Sequence, residues 1–173
     1  MNPREKLTPE QLLDMLDAQG IRHVVEHHKP VFTVEESRSI RPPEAGDEGQ
    51  IKNLFLKNKK GRMWLLCLHE SRAVDLKEAA RALGARRFSF CSPERLMRYL
   101  GVVPGAVTPF ALLNDHDGEV EFCLDEALLS HRVIHAHPLD NSSTVSIGLD
   151  DLIRLLDSHG HPCRILPLNL ETV

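Results

Sequence analysis

The heptapeptide MWLLCLH, residues 63–69, limits the possible folds more than any other stretch of this chain, because six apolar residues in succession leave no polar face. A strand of that kind is stable only in the middle of a sheet that is covered on both sides. The segment before it, IKNLFLK at 51–57, has strand character too, and NKKGR between them is a polar connection with a glycine. The pair is therefore expected to form a hairpin whose second strand is central.

The remaining segments supply the layers such a sheet needs. Thr8-Pro9-Glu10-Gln11 offers an N-cap, a proline at the first helical position and a glutamine at the third, and Gly20 can close that helix. IRHVVEHH and PVFTVEE read as short strands. SRSIRPPEAGDEGQ, residues 37–50, reads as a surface loop, too short to separate two domains. Asp75 with Glu78 resembles a capping box for LKEAARAL, closed by Gly84, and Ser92-Pro93 starts PERLMRYL, closed by Gly101. TPFALLN and EVEFCLD flank DHDG as a second expected hairpin. RVIHAH, STVSI, a helix DDLIRLLDSH and a final strand CRILPL complete the order, which predicts an α+β fold around one mixed sheet.

Composition excludes several function classes. At 173 residues with 42% hydrophobic and 27% charged residues, the chain suits one globular domain rather than a disordered segment. Its net charge of −4 argues against a surface that clamps nucleic acid all over, while leaving room for a local basic patch. No apolar run approaches the roughly eighteen residues of a membrane span, and MNPREKLTPE lacks a signal-peptide core. Cys67, Cys91, Cys123 and Cys163 are scattered with no CxxC pair, so a zinc site and a disulfide framework are not expected.

Few motifs carry chemistry by themselves. HRVIHAH brings His131, His135 and His137 close in sequence, but as a strand it aligns only His135 with His137, and no carboxylate accompanies them. One exposed histidine and one hydrogen-bonded histidine is the simpler expectation. A GxSxG elbow is missing, Cys67 and Cys123 lie in apolar strands as neutral thiols, and GVVPGAVTPF at 101–110 has neither the lysine nor the spacing of a phosphate loop. Lys52, Lys57, Lys59, Lys60 and Arg62 fall close together, with Arg81, Arg86 and Arg87 following. The NKKGR lysines alone suit a solvated hairpin tip. Lys52 and Asn53 differ: they interrupt an apolar strand where it leaves the loop, which suggests a lined cavity.

IKNLFLK, GVVPGAVTPF and HPLDNSSTVSI, in this order and separation, resemble the YbaK-like superfamily of aminoacyl-tRNA deacylases, and within it the freestanding prolyl-tRNA editing proteins (ProX type). The likeness runs from HHKPVFTVEES to CRILPL. It implies a curved, barrel-like mixed β-sheet surrounded by helices, one editing domain over residues 1–173, and hydrolysis of mischarged tRNA in the cytoplasm. It also implies site residues. Lys52, Asn53, the Gly105 and Ala106 backbone and His137 would be catalytic. Phe32, Val107, Thr108 and Pro109 would bind the aminoacyl end, and Lys57, Lys59, Lys60, Arg86 and Arg87 the tRNA. RPPEAGDEGQI, just before Lys52, is more acidic than the threonine-containing lead-in of relatives.

The resemblance implies no metal and no organic cofactor. Its mechanism is substrate-assisted, with a ribose hydroxyl helping to position water, while backbone N–H groups of a bare loop meet the developing oxyanion. The expected partner of the monomer is the acceptor stem of proline tRNA, with prolyl-tRNA synthetase as a further candidate and no DNA or membrane. A synthetase that selects proline discriminates against smaller amino acids by only about 1–3 kcal/mol per methylene, so alanine is the expected misacylated residue and cysteine the next. A non-catalytic tRNA- or synthetase-binding module of the same fold is the other reading.

Overall fold

The computed structural model describes residues 5–41 and 48–172. Among the described residues, five α-helices, α1 (Pro9–Ala18), α2 (Val34–Ile40), α3 (Leu76–Leu83), α4 (Pro93–Leu100) and α5 (Leu149–Ser158), accompany eight strands. The strands are β1 (His23–His27), β2 (Ile51–Lys57), β3 (Met63–His69), β4 (Ser89–Phe90), β5 (Val120–Asp125), β6 (Val133–Ala136), β7 (Ser143–Gly148) and β8 (Cys163–Leu166).

β3 is central, as its composition requires. The larger sheet has the order β4-β2-β3-β5-β8, with β2 antiparallel to both neighbours and β5 parallel to both of its own. All seven β3 residues are buried. Met63, Leu65 and Cys67 join the main core, while Trp64, Leu66 and Leu68 join a second core with Ala79 and Ala80 of α3. The alternation of side chains along the strand thus feeds two hydrophobic layers. Asp75 caps α3 by accepting from the Lys77 and Glu78 N–H groups, and Gly84 closes it at φ 68°.

The class is α+β, as expected, but the strands form two sheets rather than one. β1, β7 and β6 make a separate antiparallel sheet. The two meet at a parallel bridge between Gln50 and His135, where the His135 N–H donates to the Gly49 carbonyl at 2.9 Å. Gly49 has φ 72°, and a Cβ on it would overlap the Val133 carbonyl, so only glycine allows the approach. The sheets do not close into a barrel.

Three local expectations are corrected. PVFTVEE is not a strand: Thr33 accepts from the Glu36 N–H at 3.0 Å and starts α2. The loop assigned to 37–50 therefore begins inside a helix that runs to Ile40, and its residues 42–47 lie outside the described residues. TPFALLN is no hairpin strand either. Pro109–Asn114 forms a 3-10 helix whose six residues are all buried, and β5 pairs in parallel with β3. DHDG is still a turn, held by the Asp115 carboxylate accepting from the Glu119 and Val120 N–H groups at 3.2 and 2.8 Å. The short β4 and a 3-10 helix at Glu126–Ser130 carry no strong sequence signal. No helix among the described residues is long and apolar enough to cross a membrane.

Candidate active site

A cavity of about 220 Å³ opens where β2 joins the sheet. Its walls come from both sheets and two loops. β2 supplies Lys52 and Asn53, β6 and its end supply His135 and His137, the bare loop supplies Gly105 and Val107, and Phe32, Thr33, Val34 and Ser37 cover one side.

Lys52 is half-buried. Burial pushes its ammonium below the ordinary lysine range, with the Arg38 guanidinium adding to the effect and Glu70 and Glu35 partly offsetting it. Glu70, at the end of β3, is buried to 3% exposure yet charged. Burial alone would raise its pKa, but Arg41 and Arg38 outweigh that and hold the carboxyl below its usual range. Arg41 grips it with both terminal nitrogens, at 2.9 and 3.1 Å, and Arg38 adds Nε at 3.3 Å. This bidentate contact ties the end of α2, which buries no residue of its own, to the sheet.

Asn53 donates from Nδ2 to the Val107 carbonyl at 3.3 Å, linking β2 to the loop. Its Oδ1 is buried with no hydrogen-bond partner among the described residues. Such an unsatisfied acceptor costs about 1–3 kcal/mol.

His137 donates from Nδ1 to the Ser143 carbonyl at 2.9 Å, which leaves Nε2 as an acceptor in the neutral ring. Burial keeps it neutral by lowering its pKa, the bond to Ser143 resists, and His28 lowers it further. His135 is likewise lowered by burial and by Arg41, and its Nδ1 bonds the Ser146 hydroxyl at 2.7 Å. Both strand-aligned histidines are thus partly buried and hydrogen-bonded, rather than one exposed and one satisfied. His131 is elsewhere, stacked on His69 with ring centroids 5.0 Å apart. The turn after His137 is fixed by Leu139 at φ 68° and by Asp140, which accepts from both the N–H and the hydroxyl of Ser142.

Gly105 sits at φ 89°, and a Cβ there would stand 2.8 Å from the Phe32 ring. Left-handed backbone and close packing both demand glycine. Among the described residues, the Gly105 and Val107 N–H groups have no acceptor within the chain. The Ala106 N–H does, bonding the Val103 carbonyl at 3.0 Å.

Six sequence-predicted residues therefore meet at the cavity: Lys52, Asn53, Gly105, Val107, His137 and Phe32. Ala106, Thr108 and Pro109 do not line it. Ala106 and Thr108 are 2% and 0% exposed, Pro109 is also buried, and the Thr108 hydroxyl caps the following 3-10 helix through the Phe110 N–H. They shape the loop from behind. Lys59, Lys60, Arg86 and Arg87 line a separate cleft of about 760 Å³ between the β2–β3 turn and the end of α3. Lys57 is not among the residues lining it; it lies near Cys91. Sequence reading missed Glu70, Arg38 and Arg41. A carboxylate directly after a seven-residue buried strand was the available signal, since such a group must find a partner.

The aminoacyl-tRNA editing domain model matches residues 28–155. The prolyl-tRNA editing protein ProX of Acetoanaerobium sticklandii is 35% identical over 88% of this chain and 93% of its own length. A protein of Danio rerio named prolyl-tRNA synthetase associated domain-containing protein 1 is 38% identical over 90% of this chain and 85% of its own. A solved structure, described as a candidate trans-editing enzyme for prolyl tRNA synthetase, superposes with TM-score 0.68 at 20% identity over 95% of this chain and 100% of its own, a likeness of fold. The chain belongs to the aminoacyl-tRNA editing domain family of deacylases.

Proposed function

We propose that this chain removes alanine from mischarged proline tRNA in trans, acting as one editing domain in the cytoplasm. The observation that carries the reading is the cavity itself: about 220 Å³, with a lysine, an unpartnered amide oxygen, a neutral histidine and two unused backbone N–H groups around it. Drug-sized ligands occupy pockets of about 300–1,000 Å³, so this volume suits a small aminoacyl group. Cysteine is close enough in size to be the competing substrate.

In the reaction, water attacks the ester carbonyl, the acyl–oxygen bond breaks, the ribose hydroxyl is released and the amino acid leaves as its carboxylate. The Gly105 and Val107 N–H groups would bind the oxyanion, at no reorganisation cost in so stiff a loop. Asn53 would hold the loop in place through its bond to the Val107 carbonyl. His137 Nε2 can accept from the neighbouring ribose hydroxyl or from water. Lys52 holds an anionic oxygen of the terminal nucleotide as a point charge. None of these side chains has to take a proton outright, because the ribose hydroxyl assists. The basic cleft at Lys59, Lys60, Arg86 and Arg87 would take phosphates of the acceptor stem.

The test is deacylation of alanyl-, cysteinyl- and seryl-tRNA(Pro), prolyl-tRNA(Pro) and alanyl-tRNA(Ala) by the purified protein. Preferential release of alanine from proline tRNA is expected. Faster release of cysteine would transfer the assignment to that substrate, and binding without release would identify a tRNA- or synthetase-associated module.

A further inference from the structure

The outer face of the smaller sheet carries a short hydrogen-bond chain whose polarity is fixed from one end. Strand β7 buries Ser143, Val145 and Ile147 and turns Thr144 and Ser146 the other way, so Thr144 borders the cavity along with His137. His28, just beyond β1, reaches Thr144 from the neighbouring strand. Its Nδ1 stands 2.8 Å from the Lys29 carbonyl and its Nε2 2.8 Å from Thr144 Oγ1. A carbonyl only accepts, so Nδ1 carries the proton; in the neutral ring Nε2 is then the acceptor, and the Thr144 hydroxyl donates to it. Thr144 thus commits its one proton to His28 and keeps oxygen lone pairs to which no described residue donates. Two other hydroxyls on the cavity wall have the opposite polarity. Thr33 Oγ1 accepts from the Glu36 N–H at 3.0 Å and Ser37 Oγ from Arg41 at 3.3 Å, so each keeps its proton to offer. Glu70 borders the cavity too, but its oxygens accept from Arg41 and Arg38.

We propose that Thr144, held in this orientation by His28, binds the α-ammonium of the ester and makes a free amine a condition of hydrolysis. The inference rests on the editing reading and deepens it by naming the substrate class: esters of an unblocked amino acid, with N-acylated and peptidyl esters excluded. An ammonium has only protons to give, so it needs acceptors. Thr144 Oγ1 and His137 Nε2 supply them from the smaller sheet, whereas the donors Lys52, Gly105 and Val107 belong to β2 and the bare loop. An acylated amine has lost its charge and two of its protons, and it brings added bulk into a cavity of about 220 Å³. Thr144 is therefore a specificity residue, and His28 is a positioning residue that acts through it.

The experiment reads binding and turnover separately. Binding uses the alanyl and propionyl amides of 3′-amino-3′-deoxyadenosine, stable ligands that differ only in the α-amine; turnover uses alanyl-tRNA(Pro) and N-acetylalanyl-tRNA(Pro). The wild-type protein is expected to prefer the alanyl amide by at least about tenfold, the lower end for a hydrogen bond to a charged group, and to leave the N-acetyl ester intact. Thr144→Val, nearly the same in shape, should remove most of that preference by weakening the alanyl amide alone, and Thr144→Ser should keep it. His28→Phe, which returns the hydroxyl proton to Thr144, should reduce the preference by about threefold, as for a partial loss of one such bond. Thr144→Ala replaces Thr144→Val if a melting curve shows the latter unstable. Equal affinity of the wild type for the two amides, hydrolysis of the N-acetyl ester at the alanyl rate, or a preference that survives Thr144→Val overturns the assignment. An equal loss of both amides in Thr144→Val overturns it as well, because the hydroxyl would then serve the loop or a water. Turnover without amine preference removes the amine contact and keeps the editing reading; amine preference without turnover of either ester does the reverse.

Discussion

Two basic regions lie at opposite ends of the same strand, and they use positive charge in different ways. Lys52 is at the start of β2, half-buried, with its ammonium destabilised by burial and by Arg38. Lys59 and Lys60 lie just past the other end, exposed in the β2–β3 turn beside Arg86 and Arg87. At about 3.3 Å per residue the two regions are roughly 20 Å apart. In the buried region one charge is expensive, poorly screened and under the influence of Arg38, Glu70 and Glu35, so its position matters. In the exposed region each charge is cheap, mobile and screened, so only their number matters. One region is therefore suited to chemistry at a fixed point, the other to tracking a phosphate chain.

The largest expected effect probes the rigidity of the buried region. Gly105→Ala puts a Cβ into the Phe32 ring at a φ of 89°. Strain of this kind costs about 1–3 kcal/mol, and the loop can relieve it only by moving the N–H groups assigned to the oxyanion. Deacylation is expected to fall by about a hundredfold, as for loss of an oxyanion donor, with a smaller drop in melting temperature. Unimpaired single-turnover rates would show that the loop is only a structural turn.

Lys52→Ala should lower the deacylation rate by at least about tenfold, corresponding to some 1.4 kcal/mol of transition-state stabilisation. Melting should barely change, because removing a half-buried, destabilised ammonium relieves as much as it loses. A lysine acting only as surface charge would leave turnover normal, so the rate and the melting curve on one mutant discriminate the two.

What the sequence revealed of this contrast follows from how local each signal is. The β2–β3 hairpin, α1, α3, α4 and α5 were readable because their caps and periodicities lie within a few residues, as with Asp75 and Gly84 around α3. Buried Pro109–Asn114 was mistaken for a strand, since an all-apolar hexapeptide has no period to separate a helix from a strand. Thr33 and Glu36 carried a helix-start signature, but the β-branched residues of PVFTVEE outweighed it. Lys52 and Asn53 stood out as polar breaks in an apolar strand. Glu70 did not, because its meaning depends on Arg41, 29 positions away in sequence and 2.9 Å away in space. Likewise, Ala106, Thr108 and Pro109 share a motif with Gly105, and sequence alone does not say which of them face the cavity.

Glu70 gives a pH test of the buried region. Its carboxyl titrates lower in the folded chain than the roughly 4.3 of an unfolded glutamate, so it stabilises the fold above that value and loses the contribution as pH falls through the folded pKa. Glu70→Gln removes the carboxylate that Arg41 and Arg38 share, their side chains being 11% and 40% exposed. Because water reaches Arg38, the cost is expected at about 1–2 kcal/mol, below the range for fully buried pairs. The difference between wild type and mutant should be constant above about pH 5 and shrink below pH 4. A difference independent of pH would mean that packing, rather than ionisation, holds α2 to the sheet.

The smallest effect belongs to the exposed region, and its form matters more than its size. Neutralising Lys59 with Lys60, or changing Arg87 to alanine, should weaken tRNA binding by only a few fold at physiological salt, since exposed charges are worth about 0–1 kcal/mol each. The salt dependence should be more revealing. Removing one cation from a phosphate reduces the slope of log K against log salt by about 0.7–0.9, so the double lysine mutant should show a slope lower by about 1.5 and Arg87→Ala by about half that. Turnover of bound substrate should stay normal, because the mutated side chains lie roughly 20 Å from the cavity along β2. Lys52→Ala should show the reverse, with a large loss of turnover and a slope lowered by no more than a single phosphate's share. If the Lys59, Lys60 and Arg87 mutants keep the wild-type slope, the cleft is a solvated face and the acceptor stem must approach from another direction. If they lose turnover as well, the two ends of β2 are energetically coupled, and the division between a fixed charge for chemistry and screened charges for tracking does not hold.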